Sequence, residues 1–229
     1  MDYYQDSPTL RTSSTARAID TRQWNAFIGQ VPNKPLLPGT DALLREPCSV
    51  FFGKTKDETH VCIDTPPTVD GQPLTWNRVR HFAEHNRGNQ ICLNIPWNRI
   101  LQELGDVPIP AGQYLLLKTC LPGTRGKTYQ EQLEVLREHP EYMEATLPQV
   151  VVASLMEYIR SGGARTCLFE EEYARTSTTT VDNGGLAFGG GCGSDWPSVR
   201  GSFAIGIDRF YVGLAVVLRR GGGSPAPGP

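Results

Sequence analysis

Four residue types are missing from the last quarter of the chain. Thirteen glutamates, ten glutamines, five lysines and three methionines occur in the 229 residues, and every one lies at or before Glu172. Strands disfavour some of these residue types, but β-structure accounts for only part of the absence. Residues 173–229 therefore differ from the rest of the chain in composition for a reason that secondary structure alone does not supply.

The chain also lacks a long apolar run and an excess of positive charge. No stretch approaches the ~18 apolar residues of a membrane-spanning helix, and the first residues lack the basic-then-apolar pattern of a signal peptide. The net charge is -2 and lysines and arginines do not cluster, so no surface for nucleic acid is expected. We expect a soluble, cytoplasmic protein with neither a membrane nor a nucleic acid as its partner.

Closely spaced cysteines are absent as well. The six cysteines lie at least 14 positions apart, which excludes CxxC and zinc-ribbon spacing. Without a secretion signal, buried thiols are favoured over disulfides. The cysteines are Cys48, Cys62, Cys92, Cys120, Cys167 and Cys192.

What the chain does contain is much glycine and proline, 24 and 18 residues, which favours short elements and long loops. Helices are predicted at residues 75–86, from Thr128 to before Pro140, and from Thr146 to Gly162, the last two opened by capping boxes. A short helix is predicted at residues 97–104. Predicted strands cover residues 49–52, 60–63, 91–95 and 114–117, and the segment TPPTVDGQPL reads as a loop.

The first predicted helix carries an H-x-x-E-H pattern, in which two histidines one turn apart are typical of zinc peptidases. Its residues are His81, Glu84 and His85. On a helical wheel they lie opposite the apolar stripe of Trp76, Val79 and Phe82, whereas a catalytic zinc site needs inward ligands with supporting partners. A solvated helix face is therefore favoured over a zinc hydrolase.

Residues 189–193 read Gly-Gly-Gly-Cys-Gly, a candidate phosphate-binding loop. They lack the Lys-Ser/Thr of a P-loop and open no clear helix, so flexible turns at a strand end are favoured. Cys192 is a candidate nucleophile, but no histidine follows His139 to activate it.

Aromatic, glycine, serine, aspartate and arginine residues alternate near the C-terminal end, around Trp196 and in residues 207–211. These are the residue types that paratope loops use, because rigid aromatic rings bind at low entropic cost. They form either an exposed binding surface or part of the core.

Several short motifs of this region resemble those of the C-type lectin fold of the formylglycine-generating-enzyme type, and most closely the variable proteins of diversity-generating retroelements. The motifs are Ala145-Thr146-Leu147-Pro148 leading to Gly162-Gly163, Tyr173-Ala174-Arg175-Thr176-Ser177, Leu186-Ala187-Phe188-Gly189-Gly190-Gly191 and Val212-Gly213-Leu214-Ala215-Val216-Val217. The oxidase branch of the family uses a close cysteine pair near the C-terminus, whereas only Cys192 follows Cys167 here, so oxidase activity is not implied.

The resemblance implies an α+β, C-type-lectin-like fold with short twisted antiparallel strands, two main helices and much irregular loop. The implied domain occupies residues 107–220. Residues 24–106 would be an N-terminal extension packed on it, residues 1–23 an arm that is mobile or laid across the domain, and residues 221–229 a flexible tail.

The resemblance also implies a non-catalytic protein without metal or cofactor, whose diversified C-terminal surface binds a protein or other macromolecule. The implied ligand-binding residues, called the display set below, are Gly193, Ser194, Asp195, Trp196, Ser198, Gly206, Asp208, Arg209, Phe210 and Tyr211. Retroelement mutagenesis acts at adenines, typically in codons that end in a pyrimidine and so cannot encode Lys, Glu, Gln, Met or Trp. Between residues 192 and 211 only Trp196 belongs to that excluded group.

Overall fold

The computed structural model describes residues 18–27, 29–85, 104–160, 168–169, 173–179, 186–192, 197–203 and 212–219. These residues form six helices and eleven strands. The helices are α1 (Thr21–Phe27), α2 (Thr40–Arg45), α3 (Lys56–Thr59), α4 (Trp76–His85), α5 (Tyr129–Arg137) and α6 (Leu147–Arg160). The strands are β1 (Ala18–Ile19), β2 (His60–Thr65), β3 (Thr68–Val69), β4 (Gln72–Pro73), β5 (Gly112–Leu117), β6 (Tyr142–Glu144), β7 (Tyr173–Thr179), β8 (Leu186–Cys192), β9 (Pro197–Phe203), β10 (Val212–Leu214) and β11 (Val216–Leu218).

The larger sheet has five strands in the order β1-β2-β5-β11-β6. β1 runs parallel to β2, and the other neighbours are antiparallel. Every residue of β2 is buried. Since successive side chains of a strand point to opposite faces, a wholly buried strand means that both faces of this sheet are covered.

Two apolar clusters cover those faces. Val61, Ile63 and Leu116 belong to the cluster that contains residues of α1, α4 and α6. Cys62 and Leu115 alternate with them and belong to the second cluster, which includes residues of α2 and α5. The core therefore lies in two layers, one on each side of the five-stranded sheet.

A second sheet has four strands in the order β10-β7-β8-β9. α6 packs against β7, β8 and β9 of this sheet and also against β2 and β5 of the larger one. Its first turn is fixed by the predicted capping box, because the Thr146 amide donates to Gln149 Oε1 at 2.9 Å. The apolar helix is thus shared by both sheets.

The mixed architecture confirms the α+β prediction. Three of the predicted helices, including the two main ones, are found as α4, α5 and α6, and the strands predicted at residues 60–63 and 114–117 are found as β2 and β5. Cys48, Cys62 and Cys120 are buried thiols, as expected. None of the helices in the described ranges is long and apolar enough to cross a lipid bilayer.

The strand predicted at residues 49–52 is wrong. This segment turns, with the Lys54 amide donating to the Phe51 carbonyl at 3.2 Å and Gly53 in the left-handed region at φ 76°. Phe52 is fully exposed. Gly53 can adopt the left-handed conformation that this turn requires. The apolar residues before it had indicated a strand.

The loop predicted for TPPTVDGQPL is also wrong in part, since β3 and β4 form a small hairpin there. Its turn residues Asp70 and Gly71 have φ values of 51° and 72°. Two left-handed residues are the requirement of a type I′ turn, and Asp-Gly is a common sequence for it. The strand predicted at 91–95 and the helix predicted at 97–104, apart from Leu104, lie outside the described residues.

Candidate binding surface

The closing segment of the chain, residues 212–218, belongs to both sheets. β10 runs parallel to β7 in the four-stranded sheet, and β11 lies between β5 and β6 in the larger sheet. Ala215 stands between the two strands, and its amide donates to Arg175 O while its carbonyl accepts from the Ala145 amide, both at 2.9 Å. The closing segment therefore fixes the two sheets to each other.

Strand directions decide which end of the four-stranded sheet the display set adjoins. β8 is antiparallel to β7 and β9, and β10 is parallel to β7, so β7, β9 and β10 all run one way. The last residue of β8, Cys192, consequently lies at the end of the sheet where β9 and β10 begin. Residues 193–196 connect β8 to β9 there, and Tyr211 directly precedes Val212 of β10.

The first part of the display set therefore joins the sheet at this end on both of its sides. The second part joins it at this end through Tyr211, while its other side follows Phe203 at the opposite end of β9. The register pairs Cys192 with Pro197 and Val212 with Tyr173. Neighbouring strands are ~4.8 Å apart, so β10 and β8, separated only by β7, lie on the order of 10 Å from each other. This spacing fits within one protein-binding patch.

Only Ser198 of the display set is in the described part of the chain, as the second residue of β9. The other nine residues, at 193–196, 206 and 208–211, lie outside it. Their inclusion in a binding surface stays a prediction.

Gly189, Gly190 and Gly191 lie inside β8, so the prediction that they form flexible turns at a strand end is wrong. Gly189 pairs with Ala174 on one side and Val199 on the other. The pairing register shifts between Gly189 and Cys192. Glycines within a strand often mark such bulges, because they tolerate the altered backbone.

A buried polar network lies beneath the start of β10. Arg175 Nη1 donates to Gln132 Oε1 at 2.8 Å, and Gln132 Nε2 donates to the carbonyls of Thr124 at 2.8 Å and Val212 at 3.2 Å. The Leu214 amide donates to Thr124 Oγ1 at 3.0 Å. Arg175, Gln132 and Thr124 are at most 1% exposed. Nothing in the sequence pattern indicated this network.

The network extends to the larger sheet through Tyr129. The Arg175 guanidinium lies 5.8 Å from the centre of the Tyr129 ring, a cation–π contact. The Tyr129 hydroxyl donates to Glu144 Oε1 at 2.6 Å. Burial, the largest cause, and the bond to Glu144 raise the pKa of Tyr129, which keeps its hydroxyl protonated. A continuous polar path thus joins β6 to β7 and β10.

β10 passes unusually close to the segment that carries Cys120. A Cβ added to Gly213 would lie 2.4 Å from Cys120 Cβ and 2.7 Å from its sulfur. Burial raises the pKa of the Cys120 thiol to about 12. The thiol is protonated at neutral pH and acts as a small packing group rather than a nucleophile.

A separate buried cluster surrounds His60. Its Nδ1 lies 2.9 Å from Thr59 Oγ1 and its Nε2 3.0 Å from the Tyr142 hydroxyl. Because the Thr59 hydroxyl donates to Thr55 O at 3.0 Å, Nδ1 is the donor to Thr59, and Nε2 accepts from Tyr142. Burial lowers the pKa of His60 to about 4. The neutral ring joins β2 to β6, another contact that sequence reasoning missed.

The H-x-x-E-H residues lie in α4, and His81 is exposed. The side chains of Glu84 and His85 lie outside the described part of the chain. Within the described residues, no group of three or more histidine, cysteine, aspartate and glutamate side chains could hold a metal ion.

Neither a protein-family model, nor a curated protein, nor a solved structure matches this chain.

Proposed function

We propose that this chain is a non-catalytic binding protein that presents the display set on a C-type-lectin-like scaffold, as a variable protein of a diversity-generating retroelement. Its ligand is a protein or another macromolecule. Binding requires no metal and no cofactor, and specificity resides in side chains that differ between copies of the gene.

One observation carries the proposal: β8 ends, and β9 and β10 begin, at the same end of the four-stranded sheet. Residues 193–198 and 206–211 are separated in sequence, but they can contribute to one surface if they join the sheet close to each other. At this end of the sheet β10 lies about 10 Å from β8 and about 15 Å from β9. A surface that tolerates changing side chains needs this kind of fixed backbone support.

The proposed scaffold is supported by the way residues 107–220 close. β5, the first strand of this segment, pairs antiparallel with β11, the last, with Val217 opposite Leu116. The two main helices, α5 and α6, lie between them in sequence. The boundary near residue 107 stays a prediction. The larger sheet contains strands from both sides of this boundary, because all of β2 pairs with β5.

The proposal is tested by removing aromatic side chains from the display set. We expect Phe210→Ser and Tyr211→Ser each to change the free energy of unfolding by less than about 0.5 kcal/mol, as surface substitutions do. Tyr142→Ser is the matched control, because Tyr142 is 1% exposed. Loss of that buried aromatic should cost about 3–5 kcal/mol.

Urea denaturation of the full chain measures all three variants. A loss at Phe210 or Tyr211 as large as that at Tyr142 would place these rings in the core, and the proposal of a displayed surface would fail.

A further inference from the structure

The position at which the display set rejoins the sheet is held by side chains from distant parts of the chain. Val212, the first residue of β10, directly follows Tyr211. Its carbonyl accepts from Gln132 Nε2 at 3.2 Å and from the Gly126 amide at 3.3 Å. Two residues later, the Leu214 amide donates to Thr124 Oγ1. The side of β10 that faces away from β7 is thus bonded at both of its ends.

Gln132 has a role that few side chains can fill. Its amide oxygen accepts from Arg175 of β7, while its amide nitrogen donates to the Thr124 and Val212 carbonyls. A carboxylate lacks the donor, a lysine lacks the acceptor, and leucine lacks both. Since Gln132 is fully buried, water cannot replace these bonds without opening the site.

We propose that Gln132, Thr124 and Arg175 form a clamp that positions the binding surface. They are positioning residues. The clamp fixes the position of the start of β10, where residues 206–211 join it, relative to β7. It thereby sets the geometry in which the display set meets its ligand. The inference rests on the proposed function, but the clamp itself is tested without a ligand.

The test is amide hydrogen exchange, followed residue by residue by NMR on the full chain. In Gln132→Leu, the amides of Gly126 and Leu214 should exchange about tenfold faster or more, because the bonds that hold β10 to residues 121–126 are weakened. Amides in β2 and β5 should keep their rates. An equal acceleration in β2 and β5 would show a general loss of stability and overturn the positioning role, and so would unchanged rates at Gly126 and Leu214.

Thr124→Val is a milder second variant that keeps the shape of the side chain and removes only its hydroxyl. It should accelerate exchange at Leu214, whose amide bonds that hydroxyl, more than at Gly126. Equal effects at both amides, or none, would contradict the assignment even if Gln132→Leu fails to fold.

Gln113→Leu is the matched control. Gln113 also bridges several groups, donating to Thr40 Oγ1 at 2.8 Å and accepting from the Leu37 amide at 2.9 Å. It should accelerate exchange at Leu37 and leave Gly126 and Leu214 unchanged. Faster exchange of the Leu214 amide in this control would show that the effect is not local to the clamp and would overturn the inference. Losses of unfolding free energy in the Phe210 and Tyr211 variants as large as that of Tyr142→Ser would overturn only the proposed function.

Discussion

Buried polar residues hold distant parts of this chain together. His60 links β2 to β6 through one hydrogen bond to Tyr142 and makes a second to Thr59, and Gln132 links α5 to β7 and β10 through bonds to Arg175 and Val212. Burial without such partners would cost about 1–3 kcal/mol for each group. Because every bond depends on a particular donor or acceptor, these residues are the places where small chemical changes should have large local effects.

His60 should make the protein sensitive to acid. Its pKa is lowered by burial to about 4 in the folded protein, against ~6.5 in an unfolded chain. The unfolded state therefore binds more protons between these values, and the stability that neutral His60 contributes above pH 6.5 is lost as pH falls towards 4. The loss is at most about 3.5 kcal/mol, at ~1.4 kcal/mol per pKa unit.

The measurement is the free energy of unfolding by urea at several pH values between 7 and 4. His60→Gln should be less stable than the natural chain at pH 7 but show a smaller decrease towards pH 4. His81→Gln, at an exposed position of α4, controls for removal of an imidazole and should follow the natural chain. A His60→Gln decrease as steep as that of the natural chain would contradict the assignment.

At the scale of elements, β10 depends on a glycine for its closest packing. Gly213→Ala should destabilise the protein by about 1–3 kcal/mol, the usual cost of overpacking, because the new Cβ would lie 2.4 Å from Cys120 Cβ. Urea denaturation measures the effect. Gln130→Ala, at an exposed position of α5, should stay within about 0.5 kcal/mol. A Gly213→Ala protein as stable as this control would contradict the close packing of β10.

The helices were predictable because their signals are local. Thr128 and Glu131 stand three residues apart, and their two reciprocal bonds form the capping box at the start of α5. β2 and β5 were also predictable, since short apolar runs fit strands that are buried on both faces. The turn at residues 51–54 was not, because an apolar run carries no information about Gly53 adopting a left-handed conformation.

The apolar residues at 212–218 do not by themselves predict that this segment divides into two strands. The change of sheet at Ala215 depends on bonds to Ala145 and Arg175, which are 70 and 40 positions away in the chain. The clamp was hidden for the same reason: Gln132 bonds Arg175 and Val212 across 43 and 80 positions. Within α5, a glutamine among charged residues reads as a solvent-facing position.

For the candidate site, composition indicated the region of the binding surface but not the buried residues that hold it in place. Trp196, Phe210 and Tyr211 were singled out by residue type. The topology then showed that β8 ends, and β9 and β10 begin, at one end of the four-stranded sheet. The residues that join this end of the sheet to the core are Gly213, Thr124 and Gln132. Gly213 lies within one of the quoted motifs, but Thr124 and Gln132 belong to none of them.

At the scale of the whole molecule, the two sheets behave as one framework because three features cross between them. The closing segment pairs in both sheets, α6 packs against both, and the path from Glu144 through Tyr129 to Arg175 links them with polar contacts. Such redundancy fits the proposed function, because the three features that hold the backbone are built from described residues outside the display set.

The most direct test of diversified binding is to sequence the DNA around this gene. We predict a nearby reverse-transcriptase gene and a near-identical template repeat of the region that encodes residues 189–220, differing from it only at template adenines. The differing codons should fall within residues 193–198 and 206–211 and spare Val212 and Leu214, which are buried. Absence of a repeat, or a repeat whose adenines map to those buried strand residues, would contradict the account.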